Sequence, residues 1–436
     1  MSLQARAIDA PLPLALRRSG AGLDRITERT LSLPLLGALL AAALIVSRRP
    51  DAITHAQFWA EDGKLFYADV YDHGLLATLA VPQAGYFQEL PILAAWLAQL
   101  VPLNLAPLVM NLVGLAVRVL PVGLLLSERA ETISPDIRVR GLLAALYIGL
   151  PGSPESNVNA DNALWFLAVS AVIVLMLRPP ASRSARALDV AIVAMSALTG
   201  VFSIALAPLA FLYRRWRGRA AVSPLILAIL TAGAALQLLA IFVLQYHLPH
   251  GFGATSRPSM SLHPTLPGFF QILGTRVIAE PVLGNSAELP AMAAAVIGLL
   301  ATVCFAIAFR RGPAQLRLMI GFGAALFAMA LAHPIGTDWP RLALFPTGAR
   351  YFIIPQLAAA ATLVWAIGYA SGHWRLVLAA LLLYACLFTI PRDWTYAPLE
   401  ETAFAQQAAE FEHKPRGAHM IFALQPQGWT MTLFKH

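Results

Sequence analysis

The sequence predicts an all-α polytopic membrane protein, and three observations carry that prediction. Hydrophobic residues fill 58% of the 436 positions and charged residues 12%, for a mean hydropathy of +0.67, a balance that makes lipid the natural solvent for most of the surface. Apolar runs approaching the roughly 17–25 residues of a bilayer-crossing helix recur along the chain. Arginines gather in alternate connections between those runs, as in a chain threaded back and forth with its basic loops in the cytoplasm.

The first apolar run, 31–47, follows a basic segment, 1–30, that holds five arginines. Arg48-Arg49-Pro50 stands where a signal peptidase would need small residues, so the run is read as an uncleaved first helix with its N-terminus in the cytoplasm. A long outward connection, 48–103, comes next. In it Phe66, Tyr67, Val70 and Tyr71 recur at helical spacing beside Asp69 and Asp72, which predicts an amphipathic helix at the interface. A second short helix is expected at 89–101, bracketed by Pro91 and Pro102. Further crossings are expected at 104–126, 139–151, 162–177, 222–245, 289–309, 316–332, 351–370 and 376–390. The stretch 188–213 is too short to cross twice, and its breakers Leu198-Thr199-Gly200 and Pro208 predict a hairpin of two half-crossing helices. About eleven transmembrane or half-crossing helices result, forming a domain over 31–390.

Residues 391–436 are the least membrane-like. They predict an amphipathic helix near 400–413, through Phe404, Ala408 and Phe411, then two strand-like runs separated by Pro426-Gln427-Gly428. Together these form a small outward cap.

With this threading the cytoplasmic side holds nineteen basic residues against seven acidic ones, and the outward side eleven against sixteen. The formal charge of +8 is therefore topological, and short basic loops without interleaved aromatics exclude nucleic acid as a partner. Arg118, inside a span, is expected to snorkel towards the cytoplasm. Cys304 and Cys386 fall in predicted spans as packing residues, with no disulfide framework or metal-ligand spacing. No repeat of 20–50 residues and no inverted pair of broken helices points to a secondary transporter.

The acids that face outward are the place to look for chemistry. Glu61 and Asp62 stand together in Trp59-Ala60-Glu61-Asp62-Gly63, just beyond the first span, where charge near a bilayer costs up to about 3 kcal/mol per group. A solvated turn at Asp62-Gly63 is the plainer alternative. Glu155 and Asp161 flank Asn157 and Asn159, an oxygen-rich cluster able to hold a divalent cation together with Asp62 or to bind sugar hydroxyls. Capping of the next helix is the expected role of Asp161 or Asn162. Arg350, Arg341 and Arg276 are the outward arginines suited to an anion; Arg350, beside Tyr351 and Phe352, reads equally as an interfacial anchor. His333 and Asp338-Trp339 are candidates for the same cavity. His247 and His250 have the spacing of a weak zinc pair, but Pro249 and Gly251 favour a plain loop.

In this order the pieces resemble the C-type (GT-C) integral-membrane glycosyltransferases, the superfamily that takes sugars from polyprenyl-phosphate carriers. The matching segments are Trp59 to Gly63 in the first outward loop, Pro82-Gln83-Ala84-Gly85-Tyr86, 155–165, and Gly348-Ala349-Arg350-Tyr351-Phe352 at the start of a late helix. The resemblance implies a GT-C-like fold and a bacterial inner-membrane enzyme, inverting, with its site on the periplasmic face and a glycan or lipid as acceptor. Asp62 or Glu61 would be the general base, with Asp62 favoured and Glu61 as orienting partner or metal ligand. Arg350, Arg341 and Arg276 would hold the donor phosphate, and Glu155, Asn159, Tyr351 and His333 would contact substrate. A divalent cation, Mg²⁺ or Mn²⁺, on Asp62 and Glu155 stays open. Without a large soluble outward domain such as oligosaccharyltransferases carry, a protein acceptor is disfavoured. The competing readings are a lipid or polysaccharide transporter (flippase) and a non-catalytic subunit of envelope assembly.

Overall fold

A computed structural model describes residues 21–152, 154–244, 263–285, 288–334 and 337–436; His247 and His250 lie outside them. Helix α1 (Ala21–Arg48) is followed by α2, residues 62–73, whose first turns Asp62–Tyr67 are wound wider than an α-helix, and by α3 (Glu89–Ala98). Next come α4 (Leu103–Leu126), α5 (Ile137–Ile148), α6 (Ala163–Met176), α7 (Arg183–Leu198), α8 (Phe202–Arg217) and α9 (Pro224–Leu244). Helix α10 covers 266–283, and α11 (Ala291–Arg311), α12 (Ala314–Ala332), α13 (Ala349–Tyr369) and α14 (Gly372–Arg392) complete the bundle. The tail adds α15 (Phe404–Glu412) and strands β1 (His419–Leu424) and β2 (Trp429–Phe434).

Six of these helices, α4, α9, α11, α12, α13 and α14, are long and apolar enough to cross a bilayer. The chain is a multi-pass membrane protein. Each apolar run read from the sequence lies on a helix, with local signals setting the ends: Asp136 accepts the Arg138 amide at the start of α5, and Ser223 accepts the Ile226 amide ahead of Pro224 in α9. The hairpin over 188–213 breaks at Gly200, where φ is +86°, a conformation that costs glycine nothing. Pro208 does not break it; it sits inside α8. The sequence also missed α10, because Gln271, Arg276 and Glu280 interrupt its apolar run. Cys304 is exposed on α11, not packed inside.

Helix α6 forms the centre of the bundle. Every residue in it but Trp165 is buried, as expected of a helix apolar on all sides. It packs against α4 and α7, while α1 lies along α4, and α12 bridges α8 to α13. Helices α5 and α6 are short: twelve and fourteen residues rise only about 18 and about 21 Å, well under the roughly 30 Å of hydrocarbon in a bilayer. The connection between them, 149–162, therefore sits deeper than the neighbouring helix ends.

A second core lies over the loop end of the bundle and joins the first connection to the tail. The hairpin pairs Phe422 with Met431 and Leu424 with Trp429, and its inner face (Phe422, Leu424, Met431 and Leu433) is fully buried against Phe58, Phe66, Tyr67 and Val70. Phe404 meets Phe58 edge to face at 5.3 Å, and Phe411 meets Phe422 at 5.5 Å. Each such buried aromatic is worth on the order of 2–3 kcal/mol. The apolar face of α2 is thus covered by the tail rather than left to lipid.

Candidate functional site

Three segments distant in sequence supply the site: the start of α2, the 149–162 connection and the start of α13. The first is fixed by the tail. Trp59 and Gln425 form an isolated parallel bridge, in which the Gln425 amide donates to the Phe58 carbonyl at 3.0 Å and the Ala60 amide to the Gln425 carbonyl. Gln57 ties in further, donating to the Glu400 carbonyl and accepting from Thr402 and Gln425. Held this way, Ala60 takes φ +31°, an uncommon conformation for a residue with a Cβ and one that clusters at functional positions. Glu61 follows directly.

Asp62 is fully buried. Its carboxylate accepts the amides of Asp161 at 2.7 Å and Ala160 at 3.2 Å, and so clamps the 149–162 connection to α2. Burial pushes the Asp62 carboxyl up to about 8, against the pull of those two amides and with the charge of Glu61 adding to the rise. Glu61 is only half-buried and acts electrostatically on both Asp161 and Arg350.

The connection itself is braced from below and within. Arg118 does not snorkel to the arginine-rich end of α4: its guanidinium is buried beside the Phe166 ring at 4.5 Å and donates to the carbonyls of Ser156 and Asn157. The recessed connection brings those carbonyls within its reach. Gly114 allows α4 to approach, since a Cβ there would stand 2.4 Å from the Asn159 carbonyl oxygen. Asn159 donates to the Glu155 carbonyl at 2.6 Å and accepts the Asn162 amide at 2.9 Å, so it shapes the loop, and the start of α6 carries no side-chain cap from Asp161 or Asn162. Asp161 is instead buried among Glu61, Asp62 and Glu155; burial raises its carboxyl well above the ordinary range, Glu61 adds to the rise and Arg350 opposes it.

Arg350 completes the cluster. Its amide donates to Glu155 Oε1 at 3.0 Å and its guanidinium lies 3.6 Å from Glu155 Oε2, both side chains about one quarter exposed. Tyr351 flanks it, buried, and meets Trp165 edge to face at 5.8 Å. Glu61, Asp62, Glu155, Asn159, Arg350 and Tyr351 are thus brought together. Asp161 joins them although the sequence assigned it a cap.

The other predicted residues are not in this cluster, although Arg276 interacts electrostatically with Glu155. Arg276 is sealed inside α10: its Nε lies 2.8 Å from Glu280 Oε2, an ion pair rather than an aligned hydrogen bond, and it donates to the Leu344 carbonyl at 2.6 Å. The spacing of four between Arg276 and Glu280 was a signal available in the sequence. Arg341 and His333 are exposed on the connection ahead of α13. Among the described residues no group of three His, Cys, Asp or Glu side chains could hold a metal ion. Asp62 spends its oxygens on two amides and Glu155 on Arg350, so the pair does not fit the cation considered for it.

No family model and no curated protein matches the chain. Among solved structures it is similar to ArnT from Cupriavidus metallidurans bound to undecaprenyl phosphate, with a TM-score of 0.41 and 12% identity over 81% of this chain and 61% of that one. The match thus spans about three fifths of the length of that protein.

Proposed function

We propose that the chain is a GT-C-type glycosyltransferase that moves a sugar from a polyprenyl-phosphate donor to a glycan or lipid acceptor. The reading places it in a bacterial inner membrane with its site facing the periplasm and its N-terminus in the cytoplasm, as the arginine bias favours. The observation that carries it is the meeting of Glu61 with the Arg350–Glu155 pair beside a connection that two short helices leave recessed. Three of the four segments that resemble the superfamily, Trp59 to Gly63, 155–165 and Gly348 to Phe352, meet there, while Gln83 of the fourth donates to Asp69 on α2.

In the transfer, a base takes the proton of the acceptor hydroxyl as its oxygen bonds to the anomeric carbon. The bond from that carbon to the phosphate oxygen breaks, and the electron pair leaves with the polyprenyl phosphate. Glu61 is assigned as base and Asp62 as the positioning residue, the reverse of the division favoured from sequence. A carboxyl pushed up to about 8 holds its proton at neutral pH, and both Asp62 oxygens are already occupied by amides. Arg350, charged and partly open, suits the phosphate on which negative charge grows. Its partner Glu155 would yield as the phosphate arrives.

The test is transfer by purified protein in lipid, given a matching polyprenyl-phosphate-linked sugar. Glu61→Gln is expected to slow the chemical step about 10²–10⁴-fold, the usual contribution of a positioned base, without lowering thermal stability. A Glu61→Gln protein that transfers sugar at the wild-type rate sinks the assignment. Vesicle flux of the lipid without any product would replace it with a transporter.

A further inference from the structure

Away from the acidic cluster, a groove of about 470 Å³ lies between α4, α5, α6, α12 and α13. Its walls are apolar, among them Leu143, Val172, Met319, Ala361 and Trp365, and it runs from Tyr147 under the recessed connection down to Tyr369 near the arginine-rich end. The Tyr147 hydroxyl is used by the Arg118 carbonyl at 2.7 Å, so the closed end presents no free polar group of its own. The open end differs. Arg311 donates to the Tyr369 hydroxyl, Arg375 donates to the Ala370 carbonyl one residue on, and Arg138 precedes the lining residue Val139. All three arginines are exposed. The nearby acids are engaged: Glu131 with Arg178, and Asp136 with the first turn of α5.

A groove at membrane depth, apolar along its length and ringed by cations at one mouth, has the shape and charge of an anionic amphiphile. We propose that it holds an acyl chain of an anionic phospholipid from the leaflet on the arginine-rich side, with the lipid phosphate against Arg311, Arg138 and Arg375. The bound lipid lies along α5 beneath the 149–162 connection, and so supports that connection from the far leaflet. This inference does not depend on the glycosyl-transfer reading, because it concerns the other side of the membrane and uses none of the acidic cluster.

Trp365 supplies the probe. Purified protein in nanodiscs is titrated with phosphatidylglycerol brominated along its acyl chains and, separately, with phosphatidylcholine brominated in the same way. Phosphatidylglycerol is expected to quench a component of the tryptophan emission at about tenfold lower mole fraction than phosphatidylcholine, and Trp365→Phe removes that component. Arg311→Gln brings the two lipids to within about twofold of each other. Ala361→Trp, which fills the groove, abolishes phosphatidylglycerol retention in native mass spectra; if that variant misfolds, the Trp365→Phe difference still decides. Equal quenching by the two lipids overturns the proposal, as does quenching unchanged in Trp365→Phe. Displacement of phosphatidylglycerol by an equal or smaller amount of a polyprenyl phosphate also overturns it, and assigns the groove to a donor chain.

Discussion

Among the arginine–glutamate pairs of the described residues, two are of opposite design, Arg276 with Glu280 and Arg350 with Glu155. The first is sealed: both side chains are at most 5% exposed and 2.8 Å apart, four residues from each other on one helix. The second joins α13 to the 149–162 connection at 3.6 Å, with about a quarter of each side chain open. A sealed pair is out of a ligand's reach and is dangerous to break; an open pair holds its charges loosely and can exchange partners. Chemistry in this protein is therefore to be sought where the ion pair is poor.

The largest effect that would test this contrast is on the sealed side. Arg276→Met strands Glu280 in the bundle and is expected to cost about 3–5 kcal/mol of stability, read by thermal unfolding in detergent, while Arg276→Met/Glu280→Leu regains most of it. A double variant as unstable as the single one would erase the distinction. On the open side, Arg350→Gln should change stability by less than about 1 kcal/mol yet slow the proposed transfer about 10²–10³-fold. Loss of folding with Arg350→Gln would place it with Arg276.

A smaller, pH-dependent effect comes from Asp62. Its carboxyl titrates at about 8 in the folded protein against an ordinary 3.8, so the native state keeps a proton that the unfolded chain has released. Stability from this group is present below about 4 and drains away as the pH rises through 8. Asp161 is shifted in the same direction. Unfolding midpoints measured from pH 5 to 8 are expected to fall, and Asp62→Asn to flatten the fall; an unchanged slope would remove Asp62 as its source. The smallest effect belongs to Glu155→Gln, whose remaining carbonyl oxygen can still accept the Arg350 amide. A few-fold change in KM for the donor with kcat nearly constant would fit an orienting partner, and a collapse of kcat would make Glu155 the better base.

Much of the bundle was legible because lipid leaves few ways to write a spanning helix. The same scarcity made Glu61, Asp62, Glu155 and Arg350 stand out, each an ionisable group that a membrane chain keeps only for cause. Helix α10 escaped because its own Arg276 and Glu280 broke the apolar run; on a helix four residues apart, they cancel each other. The direction of Arg118 could not be read, since it depends on how deep the 149–162 connection sits, and that follows from the shortness of two separate helices. Nor could the role of Asp161: a carboxyl ahead of a helix looks the same in sequence whether it caps the helix or faces another acid. Pairing of Trp59 with Gln425 leaves no local trace at either end.

That last contact also orders events in time. Gln57 and Gln425, joined by a hydrogen bond, are 368 residues apart, so at roughly 5–20 residues per second a ribosome completes the second some 20–70 s after the first. During that interval the bridge between Trp59 and Gln425 that sets the backbone ahead of Glu61 has not formed. The acidic cluster is therefore complete only once the tail has been made and has folded back onto Phe58 and Ala60, so its geometry is among the last features of the chain to be set.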